Sequence, residues 1–567
     1  MTTMFGGLTM RSARAAVEGG LGGLVNSPFG APVATYDLDT GLPLLKLPPR
    51  FGFQSLGWVG DTLSTNPQTT PGAHDGGAIV NVRGNIATYI RNHERSSGPT
   101  HNGSPTSFFD GSPRGNGAQQ GNFNITDALA GNASGGCTRI YYNLAQRRAQ
   151  RIEPGIGATA TNCAGGFNPF DRIGGGWITC EETFGPNGST HGFAFEVPGR
   201  GFASGVPIKT FGRMEHEAVA VDPRSGAVLI TEDNSPTHSG IYLFVPNDVW
   251  DVRRAGGYVR ADGSLVPGKL FMLAVKGEAN AQMVNRKIGE RFEIESVEIP
   301  LGEGELQAAG PPISGSALAG IFARAGFTTP FLSAAGTGLV DPRNLPGPAN
   351  VPGTASRTRT SSSSSPYIAG FLQGGAVFAR PEGAWYDARA GALVFLDTNG
   401  GIATGGSSST NAGIVFAYKP NPYAPQNGVL EVIYAGSSRE ASDGPDNLTV
   451  HPTTGTVFLC EDGSRPVQRL LAITPSGDTF VFAENNIILT REQVAKTTDI
   501  NGVKRNPIFI DEDLEAAATD QTPVSFTGSE WAGASFTPDG NTLFINSQGP
   551  GWTFVITGPF NEVLRQL

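Results

Sequence analysis

Histidine and cysteine are both scarce. Only 7 His in 567 residues argue against a zinc site built from several imidazoles. The 4 cysteines are Cys137, Cys163, Cys180 and Cys460. They could form two disulfides in three ways, yet a chain of this length buries a core that needs none. Disulfide, buried thiol and metal ligand therefore all stay open. Basic charge is also short: 40 Lys and Arg stand against 50 Asp and Glu, a net charge of −10. Phosphate backbones need a concentrated basic face, so the chain has no nucleic-acid-binding composition. No apolar run is long enough to span a bilayer. The opening MTTMFGGLTMRSARAAVEGG has no apolar signal core, and Arg11 and Arg14 are not a twin-arginine pair. Either export is absent or its signal has been removed.

Glycine and proline are abundant, at 79 and 41 residues. That load is too high for a helical bundle and lacks the every-third-glycine period of collagen. A hydrophobic content of 38% with 33 Phe argues against wholesale disorder. Short strands joined by Gly and Pro turns remain, and the fold class is read as all-β.

A repeat supports this reading. A Pro or Asp turn, a Gly, an apolar run and an acid pair recur as VDPRSGAVLITED at 221–233, YDARAGALVFLDT at 386–398 and VHPTTGTVFLCED at 450–462. Looser copies are FTPDGNTLFINSQ at 536–548 and the FDRIGGGWITCEE stretch ending at Glu182. From Gly to the acid or polar residue the step is six each time: Gly175 to Glu181, Gly226 to Glu232, Gly391 to Asp397, Gly455 to Glu461 and Gly540 to Asn546. Such spacing indicates propeller blades, with insertions making the intervals uneven. Residues 1–50 read as an N-terminal extension and 51–567 as a single propeller domain. The Gly/Pro/Ser-rich stretch at about 303–366, with its RTRTSSSSSP, reads as a loop insertion to which no chemistry is assigned. No P-loop, dinucleotide fingerprint or HExxH occurs.

Glu217, Glu382 and Asp446 each stand six residues before a turn, at Pro223, Ala388 and Pro452. In a hairpin the start of the first strand and the end of the second share an edge. Glu217 is thus expected near Glu232 and Asp233, and Asp446 near Glu461 and Asp462. Asp75 and Asn162 occupy similar strand-entry positions. Set in several blades around one axis, these carboxylates converge on one mouth of the central channel. Crowded carboxylates repel unless cations neutralise them, so Asp75, Glu217, Glu232, Glu382, Asp446 and Glu461 are candidate metal ligands. Hard oxygens suit Ca²⁺ or Mg²⁺, whereas a thiolate would recruit iron or zinc. Cys180 and Cys460 each lie five residues after a repeat Gly and are equal thiol candidates on spacing; Cys137 and Cys163 fall outside that register and read as structural. Arg380 and Lys209 are candidate cations for orienting a phosphate or carboxylate, with a surface ion pair as the plain alternative, especially for Lys209.

The motifs TNCAGG…GWITCEE, GRMEHEAVAVDPRSGAVLITED, LAVKGE, ARPEGAWYD, DGPDNLTVHPTTGTVFLCEDG and GASFTPDGNTLFINSQGPG, in order from about 74 to 551, resemble the PhoX-type alkaline phosphatases. The resemblance implies a six-bladed β-propeller with long loop insertions and an iron–calcium (Fe³⁺, Ca²⁺) cluster at its channel mouth. It implies hydrolysis of small-molecule phosphomonoesters for phosphate acquisition, with a metal-bound oxygen attacking phosphorus, in a monomer exported to the periplasm or beyond. On the same resemblance Cys180 is the iron thiolate in preference to Cys460. Glu217, Glu278 and Glu382 are cluster carboxylates, and Arg380 and Asn162 contact the phosphate. Two other readings of the residues are a Ca²⁺-dependent propeller lactonase or esterase, and a non-catalytic binding propeller stapled by Ca²⁺.

Overall fold

The computed structural model describes residues 20–64, 69–95, 135–172, 175–183, 191–201, 203–233, 239–299, 364–401, 412–507 and 521–567. The insertion at 303–366 lies outside them except for its last three residues.

The repeated glycines sit where the hairpins require them. Gly226, Gly391, Gly455 and Gly540 have φ between +61° and +75°, a left-handed conformation that a side chain disfavours. In the first three the Gly N–H closes the turn onto the carbonyl of Asp222, Asp387 or His451. The apolar run after each turn is then the second strand of a blade.

Among the described residues six antiparallel sheets of three to six strands are arranged as a β-propeller, beside one small two-stranded sheet. Their inner strands, in chain order, are His74–Arg83, Asn162–Asn168, His216–Val221, Pro381–Asp387, Pro445–Val450 and Trp531–Phe536. These define blades one to six. Each inner strand packs on the next, and the sixth packs on the first, so the ring closes. The backbones meet closely around the axis: a Cβ on Gly166 would lie 1.9 Å from the carbonyl oxygen of Val219, and one on Gly76 would lie 2.6 Å from Cα of Ala164.

Blade six joins three late strands, Trp531–Phe536, Thr542–Ser547 and Trp552–Thr557, to the early strand Gly52–Leu56. The segment before residue 50 also enters the ring. Leu45–Leu47 and Val33–Thr35 form the outer edge of blade five. Apolar faces fill the spaces between blades. Between blades five and six the filling is largely aromatic, with Phe458 edge-on to Phe482 at 5.8 Å and to Phe536 at 5.1 Å.

Candidate metal centre

Strand pairing places the acids. Asp75, Cys163, Glu217, Glu382 and Asp446 are each the second residue of an inner strand. In every blade the pairing with the second strand slips just there: between His74 and Gly77, Asn162 and Gly165, His216 and Val219, Pro381 and Ala384, Pro445 and Asn447, and Ala532 and Ser535. A bulge re-aims the side chain it carries, and six bulges at one level re-aim a whole ring. A second ring comes from the residues just after the second strands. Glu94, Glu182, Asp233 and Asp462 follow His93, Glu181, Glu232 and Glu461, while Thr398 and Gln548 hold that place in blades four and six.

Side chains from the two rings gather into three groups whose ligand atoms lie within 4.8 Å of one another: Asp75, Glu94 and Cys163; Cys163, Glu182 and Glu217; Glu217, Glu382 and Asp446. Cys163 and Glu217 each belong to two groups, so the three form one continuous run. The Cys163 thiol donates to Glu217 Oε1 at 3.0 Å. Arg380 spans the mouth, donating to both carboxylate oxygens of Asp233 and pairing with Glu382 at 2.5 Å.

Burial dominates the electrostatics. It pushes Asp75, Glu182, Glu217, Glu382 and Glu530 well above the usual carboxylate range, and neighbouring acids push them further. Glu94 rises to about 7 and Asp462 to about 6 for the same two reasons. The Cys163 thiol is likewise driven well up. Asp75 Oδ2, Glu217 Oε2, Asp446 Oδ2 and Glu530 Oε1 are buried with no N–H or O–H donor among the described residues. Pairs such as Asp75 with Glu94, or Asp446 with Glu530, close only by sharing a proton. Cations are the other way to satisfy these oxygens. The donor set fits them: all-oxygen around Glu217, Glu382 and Asp446, mixed oxygen and sulfur around Cys163.

Of the residues named from sequence, Asp75, Glu217, Glu382 and Asp446 lie in these groups and Arg380 pairs with one member. Others lie elsewhere. Cys180 is fully buried in an apolar cluster with Ile178, Ala194 and Ile230, two residues before Glu182, and the thiol among the carboxylates is Cys163. The register was read from the turn glycines, which fixes the second strand but not the bulged first one. Glu278 stands half-exposed and pairs with Arg286 at 2.6 Å. Asn162 turns into its blade, accepting from the Thr159 hydroxyl and donating to that of Thr179. Lys209 is half-buried on the short turn Lys209–Phe211 and belongs to none of the three groups.

Glu232 and Glu461 correct the sequence reading by one residue. Successive side chains on a strand face opposite ways, so a one-residue slip exchanges the axis for the blade interior. Glu232 accepts from the Tyr242 hydroxyl and Gly240 N–H. Glu461 accepts from Asp443 N–H and forms a two-pronged pair with Arg469, whose side chain is 4% exposed. Asp233 and Asp462, the next residues, face the acid cluster. Glu461→Gln should therefore lower unfolding stability by about 3 kcal/mol, because it strands a buried guanidinium. The folded fraction should keep its kcat. A denaturant melt alongside steady-state kinetics checks both; lost turnover at unchanged stability would return Glu461 to the centre.

Sequence reasoning also passed over Glu94. Blade one's second strand, Ile86–His93, is longer than its equivalents, so the six-residue step from a turn glycine misses its end.

Together the ring of six blades and the donors at its mouth define a β-propeller with a candidate metal centre on its axis. The family model described as Alkaline phosphatase PhoX matches residues 29–551, so the chain belongs to this metal-dependent family and is a phosphatase. Among solved structures the chain is similar to Pseudomonas fluorescens PhoX in complex with vanadate, a transition state analogue. The two share 14% identity over 95% of this chain and 98% of that one, with a TM-score of 0.52, which shows the fold. A 6-phosphogluconolactonase candidate from Bacteroides uniformis (12% identity, 73% of this chain and 71% of that one) reaches only 0.29 and carries no argument. No curated protein matches significantly.

Proposed function

We propose that the channel mouth hydrolyses phosphate monoesters, releasing inorganic phosphate, with iron held on the Cys163 side and calcium on the all-oxygen side. The observation that carries this reading is the continuous run of three donor groups sharing Cys163 and Glu217. Asp75, Glu94, Cys163, Glu182 and Glu217 would hold iron, and Glu217, Glu382 and Asp446 would hold calcium. Cations held there would supply charge that neutralises a phosphate and would make a water more acidic at neutral pH.

The chain's own residues then have defined tasks. Burial of the carboxylates lowers the local dielectric and strengthens every charge contact at the mouth. Arg380 is held charged by Asp233, Glu382 and Glu182, which outweigh its burial. Its side chain is 26% exposed, open enough for Nη1, which these contacts do not engage, to donate to a phosphate oxygen. Asp233 fixes the guanidinium plane from behind. Small-molecule esters are the substrates on this reading, and an exported location, in the periplasm or outside the cell, belongs to the same proposal. Among the described residues no helix is long and apolar enough to cross a membrane.

Elemental analysis of purified protein, paired with release of phosphate from a chromogenic monoester, tests the reading. Iron together with calcium and steady turnover are expected. Calcium alone, with no phosphate released, would favour a lactonase or a binding propeller.

A further inference from the structure

We infer that Glu181 and His191 form a positioning clamp for the metal centre, in which His191 sets the reach of Glu182 and Glu217 through its bonds to Glu181 and Arg213. The inference rests on the cation-binding reading of the mouth.

Glu181 is fully buried, and its carboxylate gathers four donors from two segments, Ala160 and 191–193. Oε1 accepts from Ala160 N–H at 3.0 Å and from His191 Nδ1 at 2.7 Å. Oε2 accepts from the N–H groups of Gly192 and Phe193 at 3.0 and 3.2 Å. Ala160 lies on the approach to Cys163, and Glu182 is the next residue after Glu181, so one carboxylate ties two cluster residues of blade two together. The adjoining Glu182 N–H is fixed in turn by the Thr161 carbonyl.

His191 carries the tie into blade three. It is only 3% exposed, and its carbonyl accepts from Arg213 Nε. The next carbonyl, of Gly192, accepts from Met214 N–H. Arg213 and Met214 lead directly into the inner strand His216–Val221, whose second residue is Glu217. Imidazole suits this place because its Nδ1–H can donate to the carboxylate. Groups that orient metal ligands in this way commonly change metal affinity by about 10–100-fold when removed.

The test compares His191→Asn, which keeps a donor at the Nδ1 position, with His191→Gln, which moves it to the far side of the ring. Iron and calcium retained per chain are measured while EDTA is raised, with melting temperature recorded at saturating metal. His191→Asn is expected to hold metal within about twofold of the natural protein, and His191→Gln to release it at roughly 10–100-fold less EDTA, the two melting alike. If His191→Gln does not fold, Glu181→Gln takes its place and is read the same way. Equal retention in all proteins, or equal loss in both variants, overturns the clamp. A natural protein that holds no metal overturns the centre itself, so the two failures are distinct.

Discussion

Cys163→Ser is expected to lose bound iron and to hydrolyse a chromogenic phosphate monoester at least about 100-fold more slowly, beyond the range for outer-shell partners. Cys180→Ala should keep metal and turnover and lose only about 1 kcal/mol of stability, the cost of a small void in an apolar cluster. The contrast follows from placement. The Cys163 sulfur lies within 4.8 Å of donors from Asp75, Glu94, Glu182 and Glu217, whereas Cys180 packs with Ile178 and Ala194. Metal analysis and kcat on both variants check it. Iron lost from Cys180→Ala and kept by Cys163→Ser would reverse the thiol assignment.

Stripping the cations should make the protein less stable as pH rises. Glu94 at about 7 and Asp462 at about 6 sit above the unfolded carboxylate value of about 4, because burial and neighbouring acids disfavour their charged forms. A raised acid binds its proton more tightly when folded. Its favourable contribution is therefore complete below about pH 4 and is lost progressively as pH climbs through 6 and 7. With iron and calcium bound the trend inverts, since metal ions compete with protons for the same oxygens and bind better as pH rises. Melting temperatures with and without EDTA should accordingly be closest near pH 5 and diverge towards pH 8. Parallel curves across that range would remove Glu94 and Asp462 from any cation-linked cluster.

Much of the fold was legible because turn chemistry repeats. Gly226, Gly391, Gly455 and Gly540 mark hairpins that a left-handed φ demands, and a step of six from them reaches the last residue of the second strand in blades three, four and five and the residue before it in blade six. The acids at strand entry were legible for the same reason: Glu217, Glu382 and Asp446 keep a fixed distance to the turn. The ruler fails where the structure departs from simple alternation. The bulge after each strand entry decides which side chain meets the axis, and a bulge leaves no mark in a hydrophobic pattern. Cys163 lies off the glycine register, although it occupies the same strand position as Asp75 and Glu217. At the exits the slip was a single residue. Glu232 and Glu461 bind within their own blades while Asp233 and Asp462 face the cluster, a choice made by the backbone N–H groups of Gly240 and Asp443 in adjoining segments, which a hydrophobic pattern does not reveal.

Blade six carries a consequence for biosynthesis. Its sheet needs Gly52–Leu56 from early in the chain and Trp552–Thr557 from its last turns, and Gln548 from the same blade donates to Glu94 in blade one. All five other inner strands must leave the ribosome between these two partners, and contacts of such long range form slowly. Until they do, the donors at Asp75 and Glu94 lack their neighbours Glu530 and Gln548. Stable capture of metal would then report that blade six has formed, and chains cut short before blade six would be born without a finished centre.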